Sequence, residues 1–156
     1  MKLAATIILG CTLGLTSAAL AAGSAPATGD ADSVIQYRQG VMSTIGANAG
    51  AIAAILQGKV PQQATLVEHA RVLATATTWI PAAFAQNTDG QGKEKTKAKP
   101  DVWSNKDKFA SNVKDLQAAA QKLSKLADAG DMAGVGDAVK PLFKACKSCH
   151  DDFKSK

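Results

Sequence analysis

The sequence predicts an all-α protein, an antiparallel four-helix bundle, on three observations. Four segments carry apolar residues mostly at three- and four-residue steps, the period of one helix face, and no stretch shows the sustained alternation of a strand. Glycine and proline punctuate the chain between those segments, at Gly58 with Pro61, at Pro81 and at Gly130. Two of the connections are short and one is long, which suits helices that run up and down beside one another.

A leader precedes the bundle. Met1 and Lys2 make a short positive start, and eighteen uncharged residues follow from Leu3 to Leu20, with small residues at Ala19-Leu20-Ala21. This is the layout of a secretory signal peptide over residues 1–21, cleaved after Ala21 or Ala22, and it implies export to the periplasm. A retained membrane anchor is the rival reading. Gly10, Gly14, Thr12, Thr16 and Ser17 dilute the run, so cleavage is expected, with no membrane insertion afterwards. Lipidation at Cys11 is disfavoured by the very short apolar stretch before it. Residues 22–31, rich in Ala, Gly, Ser and Pro, read as a flexible lead-in. Residues 32–156 then form one domain, long enough for a single core.

The first helix runs from about Asp32 to Gln57, with Val34, Ile35, Val41, Met42, Ile45, Ile52, Ile55 and Leu56 on its stripe. Gly58 ends it and Pro61 prevents continuation. The second covers Gln62 to Ile80, where Leu66, Leu73 and Ile80 recur every seven residues. Ala70 and Thr77 fill the places between, and a buried Thr77 hydroxyl needs a partner such as the carbonyl one turn back. Pro81 is expected to stop this helix.

From Pro81 to Asp101 the chain is long, polar and lysine-rich, with Lys93, Lys95, Lys97 and Lys99 at alternate positions. A loop of this length is unusual in a compact domain. Either it crosses the end of a cofactor pocket or it is a mobile surface segment. Ser104 is the expected N-cap of the third helix, whose stripe is Phe109, Val113, Leu116, Ala120, Leu123 and Ala127, ending at Gly130. Asp131 is the expected cap of the fourth. Its stripe is Val135, Val139, Leu142, Phe143, Cys146, His150 and Phe153, and Pro141 should kink it or delay its start.

Charge and cysteine usage narrow the function. The chain has 18 Lys and Arg against 13 Asp and Glu, but no basic helix with interleaved aromatics, so nucleic-acid binding gains no support. Of three cysteines, Cys11 leaves with the leader. Cys146 and Cys149 stand too close in sequence to staple distant parts of a fold.

Cys146-Lys147-Ser148-Cys149-His150 has the C-x-x-C-H spacing of c-type haem attachment. Helix positions three apart lie close together, so both thiols reach the two vinyl groups of one porphyrin, and the adjacent imidazole faces the iron. One covalent haem c per chain is expected, with Cys146 and Cys149 as attachment points and His150 as iron ligand. A redox C-x-x-C would need a strand leading into its helix, and here a helical stretch precedes it. A zinc site would need about four ligands, and only distant His69 is available to join these three.

At this point the chain resembles a family. Cys146-Lys147-Ser148-Cys149-His150-Asp151-Asp152-Phe153-Lys154 is similar to the end of a cytochrome c′, a class of four-helix c-type cytochromes that also serves as a standard bundle example. Tyr37-Arg38-Gln39-Gly40-Val41-Met42 resembles the family's opening helix. Thr78-Trp79-Ile80-Pro81 and Pro100-Asp101-Val102-Trp103-Ser104 resemble its middle. The resemblance implies a five-coordinate, high-spin iron that binds nitric oxide and carbon monoxide, with His150 on one face and Met42 crowding the other. It further implies Arg38 and Gln39 near the haem propionates, Lys154 beside the proximal histidine, redox partner proteins, and a homodimer packed through the first helices. Gly40 would let the first helix approach the porphyrin closely.

Plainer roles stand beside these. Met42 lies on an apolar stripe where methionine is commonly core filler, Arg38 could reach solvent at the end of the bundle, and Trp79 and Trp103 could be packing residues. The alternative function is a low-spin electron carrier with Met42 as sixth haem ligand. No cluster of distal His, Asn or Arg suggests acid–base catalysis, so no enzyme activity is expected.

Overall fold

The computed structural model describes residues 28–156; the expected signal peptide, its cleavage site and most of the lead-in lie outside them. The elements are α1 (Ala31–Leu56), a 3₁₀ turn (Gln63–Thr65), α2 (Leu66–Thr77), α3 (Ile80–Ala83), α4 (Asp101–Ser104), α5 (Lys106–Asp128) and α6 (Met132–Phe153). Among the described residues there are no strands, only an isolated bridge between Ala98 and Lys154. The fold is an all-α four-helix bundle of α1, α2, α5 and α6, with α3 and α4 as single turns beside it.

Capping explains most of the boundaries. Asp30 accepts from the Ser33 backbone N–H at 3.1 Å and starts α1 one residue before the sequence suggests. Gly29 is already tied to the bundle, since its N–H and C=O both pair with the Gln86 side chain. Gly58 and Gly130 adopt positive φ, and the N–H groups after them reach back five residues, from Lys59 to Ala54 and from Asp131 to Leu126. That geometry closes a helix cheaply only without a Cβ. Asp131 caps α6 through the Gly134 N–H at 2.8 Å, as expected.

Three expectations are corrected. The second helix does not run to Ile80. It ends at Thr77, and Pro81 sits in the first turn of α3, where a missing N–H costs nothing. Thr77 and Thr78 turn their hydroxyls back onto Ala74 and Thr75, each at 2.7 Å. The Thr77 carbonyl, which a helical Pro81 could not serve, accepts from Gln117 Nε2 at 3.1 Å. Ser104 is not a cap, because Pro100 opens a helical turn early enough to place Ser104 inside it; Asn105 stands at the junction instead. Pro141 lies within an unbroken α6 and does not delay its start. It is on the exposed side, where the carbonyl it leaves unserved, that of exposed Asp137, can bond to water.

The core is assembled from α1, α2, α5 and α6 around Ile52, Ile55, Leu66, Leu73, Leu123 and Leu142, all at most 2% exposed. Each contributes about 2 kcal/mol by leaving water. Around the ring, α1 packs on α2, α2 on α5, and α5 on α6. The fourth contact, α6 on α1, is marginal. The bundle is open along that seam.

Candidate functional site

The open seam is a cavity of about 900 Å³. Its α6 wall carries Cys146, Cys149, His150 and Lys154; its α1 wall carries Arg38, Gln39, Met42, Gly46, Ala49 and Gly50. Cys146, Cys149, His150, Lys154, Arg38, Gln39 and Met42, all singled out in the sequence, therefore line one space. His69 does not. Its Nδ1 pairs with Asn48 Oδ1 at 2.8 Å between α1 and α2, which removes the fourth zinc ligand.

The α6 wall follows from helical spacing. Cys146 and Cys149 are three apart and half-buried, they are not joined in a disulfide, and His150 follows at once. Burial pushes the Cys146 thiol above its ordinary value and raises Cys149 to about 11, where neighbouring Cys146 and Asp152 add to the effect. Redox-active C-x-x-C pairs have the opposite property, a lowered thiol pKa. Burial lowers the pKa of His150, Lys154 adds to that, and Asp151 opposes it. The first two effects favour the neutral imidazole, the form that ligates metal.

The α1 wall works by what it lacks. Gly46, Ala49 and Gly50 follow Met42 at four, seven and eight residues, so all lie on its face, and their small size leaves room in the cavity between α1 and α6. Sequence analysis assigned the close approach to Gly40, and this is corrected. Gly40 lies off the cavity wall, whereas Gly46 and Gly50 line it. Gly46 and Gly50 were missed in the sequence; their helical spacing from Met42 gains meaning only once that face of α1 is known to line the cavity.

Arg38 does not reach solvent. It is 3% exposed, donates from Nε to Ala83 O at 3.0 Å, from Nη1 to Thr88 Oγ1 at 3.0 Å and from Nη2 to Gln86 O at 3.3 Å, and lies between the rings of Phe84 and Trp103. Burial lowers its pKa. Trp103 donates to Phe84 O at 2.9 Å and packs this corner, whereas Trp79 is exposed. Phe84, Phe109 and Phe153, which sequence analysis gave no place in the site, pack in a row with ring centroids 5.1 and 5.3 Å apart, the first pair tilted and the second edge to face, and line the cavity.

The long loop crosses the cavity mouth. Asp32 Oδ1 accepts from the N–H groups of Lys93 and Glu94, and Gln39 Nε2 donates to Lys95 O at 2.7 Å. At the other side Ser155 N donates to Lys97 O and Lys99 N to Phe153 O. Of the two explanations for its length, the structure supports a loop spanning the pocket.

A haem fits this donor set. The interior is apolar and of ligand size, two thiols and an imidazole share one wall, and the charged residues that line it, Arg38, Lys95, Lys97, Lys147 and Lys154, are all basic, as two propionates require.

Comparison with known proteins agrees. The family described as Cytochrome C′ matches residues 33–154. The cytochrome c′ of Pararhodospirillum photometricum is 35% identical over 123 residues, 79% of this chain and 97% of that one. The crystal structure of cytochrome c′ from Rubrivivax gelatinosus superposes with a TM-score of 0.74 at 34% identity, covering 83% of this chain and all of that one. A ferrous variant of the Alcaligenes xylosoxidans protein with bound nitric oxide superposes at 0.71 with 29% identity, over 83% and 99% of the two chains. Bundle, seam, motif and relatives agree, and the chain belongs to the cytochrome c′ family.

Proposed function

We propose that the chain is a periplasmic gas-binding haem protein, exported by its leader, with one haem c joined by thioethers to Cys146 and Cys149 and ligated by His150 on one face only. The observation that carries this reading is the asymmetry of the cavity. Two thiols and an imidazole stand on α6, and opposite them α1 presents a thioether and three small residues. When bound, the haem supplies an iron with one open coordination position for a diatomic such as nitric oxide or carbon monoxide. Met42 narrows the approach to that position. Lys154 lowers the pKa of His150, and Arg38 and Gln39 hold the loop that covers the mouth, close to where the propionates would lie. The nitric oxide complexes of the Alcaligenes xylosoxidans protein support the ligand class.

No group beside Met42 on the α1 wall is placed for proton transfer, so we read the protein as a binder and electron carrier and not an enzyme. A homodimer through the first helices is supported by α1 itself: only 28% of its most apolar stretch is buried. The exposed side carries Gly40, Ser43 and Ala47, small enough for a second helix to approach closely.

The visible and electron paramagnetic resonance spectra of the purified protein test the reading. High-spin ferric and ferrous forms without a sulfur-to-iron charge-transfer band are expected, together with a mature N-terminus at Ala22 or Gly23. A low-spin spectrum with that band would make Met42 the sixth ligand and the protein a dedicated electron carrier.

A further inference from the structure

Helices α1 and α6 barely touch along the seam, yet they are joined at the cavity mouth. Residues 93–99 of the long loop make the join, fastened first to one helix and then to the other. On the α1 side Asp32 Oδ1 accepts from the N–H groups of Lys93 and Glu94, at 2.6 and 2.8 Å. Gln36 Nε2 donates to the Glu94 carboxylate, and Gln39 Nε2 to Lys95 O. On the α6 side Ser155 N donates to Lys97 O at 2.8 Å and Lys99 N to Phe153 O at 2.9 Å, while Lys99 Nζ donates to the carbonyls of Asp151 and Asp152. From Lys95, the last α1 anchor, to Lys97, the first α6 anchor, the chain spans at most about 7 Å. The two helix ends cannot part while both fastenings hold.

The fastenings differ in kind. The α6 side is chiefly main chain on main chain, and it includes the bridge between Ala98 and Lys154. The α1 side is made by side chains, and a single carboxylate takes two of the N–H groups. Gly92 admits that carboxylate: its φ is +75°, and a Cβ there would collide with Asp32. Gln36 and Gln39 follow Asp32 at four and seven residues, on one face of α1, and Met42 and Gly46 continue that face into the cavity wall.

We propose that Asp32 is a positioning residue for gas binding: by clasping the loop it holds α1 towards α6 and keeps Met42 in the approach to the iron. The role rests on the gas-binding reading above. Released on the α1 side, the loop still hangs from α6, and α1 can move outwards with Met42. An entering diatomic then meets less obstruction. Asp32 acts through α1 alone, since it does not line the cavity itself.

The test compares variants of the holoprotein by stopped-flow carbon monoxide association to the ferrous form and by amide hydrogen exchange. Asp32→Ala should speed association about fivefold, leave the spectrum high-spin, and quicken exchange of the Lys93 and Glu94 amides. Gly92→Ala, which evicts the carboxylate without altering α1, should do the same. Asp30→Ala, which removes the α1 cap and leaves the clasp, should not. In a Met42→Ala background Asp32→Ala should add almost nothing to the rate, because both changes act through one side chain. Unchanged exchange at Lys93 and Glu94, or freed amides with an unchanged association rate, would overturn the proposal. So would an equal effect of Asp30→Ala, or full additivity with Met42→Ala. A low-spin wild-type spectrum, or haem lost to acid–acetone, would instead refute the gas-binding reading on which the role depends.

Discussion

The two walls of the cavity are made of different material. On α6, three residues of high chemical specificity within one and a half turns, half-buried Cys146 and Cys149 and the more exposed His150, have their pKa values moved chiefly by burial. On α1, the facing positions Gly46, Ala49 and Gly50 offer almost nothing to react with, and Met42 offers a bulky side chain. The α6 wall decides what is bound. The α1 wall decides how much room is left beside it. A cofactor site needs both, and the two kinds of residue leave different traces in a sequence.

The largest effect should come from breaking the α6 wall. Cys146→Ala with Cys149→Ala should abolish covalent attachment, so that acid–acetone extraction removes all colour from the polypeptide. Because α1 and α6 barely touch, haem contact is what would join them. The haem-free chain should therefore lose much of its far-ultraviolet helical signal; near-native helicity would show that the other three helix contacts suffice.

Next comes the buried corner that holds the loop over the mouth. Arg38→Ala leaves the carbonyls of Ala83 and Gln86 and the Thr88 hydroxyl without their donor and should cost about 3 kcal/mol in denaturant unfolding. Arg38→Lys keeps the charge without the fork and should recover only part of this. A loss below about 0.5 kcal/mol for Arg38→Ala would mean that the loop is held mainly by Asp32 and Gln39.

The smallest effect concerns Asp152, whose pKa is lowered chiefly by its hydrogen bond to Lys108 at 2.9 Å. A depressed carboxylate stabilises the fold above its unfolded value, and the contribution disappears as pH falls through the folded one. Asp152→Asn should thus lower the unfolding midpoint slightly at pH 7, with the difference starting to shrink near the ordinary value of 3.8 and vanishing only below the lower folded one. A difference that persists in acid would point to Asn112 packing instead.

The contrast between the walls also explains what was legible beforehand. Cys146, Cys149 and His150 form a local pattern with one dominant chemical meaning, and Asp131, Gly58 and Gly130 act within a turn of themselves, so reading along the chain finds them. Gly46, Ala49 and Gly50 have meaning only once α1 is known to face α6 across a gap, and no local pattern states that. Arg38 was legible as a site residue but not as a buried fork, because its partners lie 45 to 50 residues away. The misplaced helix ends share a cause. Pro81 and Pro141 read as breakers, yet one sits in a first turn and the other on an exposed face, and only packing distinguishes those positions from a helix interior.

The division of labour between the walls is tested most directly by Met42→Ala, with spin state and carbon monoxide association measured on the same sample. If α1 only limits room, the substitution leaves the iron high-spin and speeds carbon monoxide binding on the order of tenfold, a barrier change of about 1.4 kcal/mol. If it converts a low-spin spectrum into a high-spin one, Met42 is a ligand, and the account of a wall that excludes without binding is wrong.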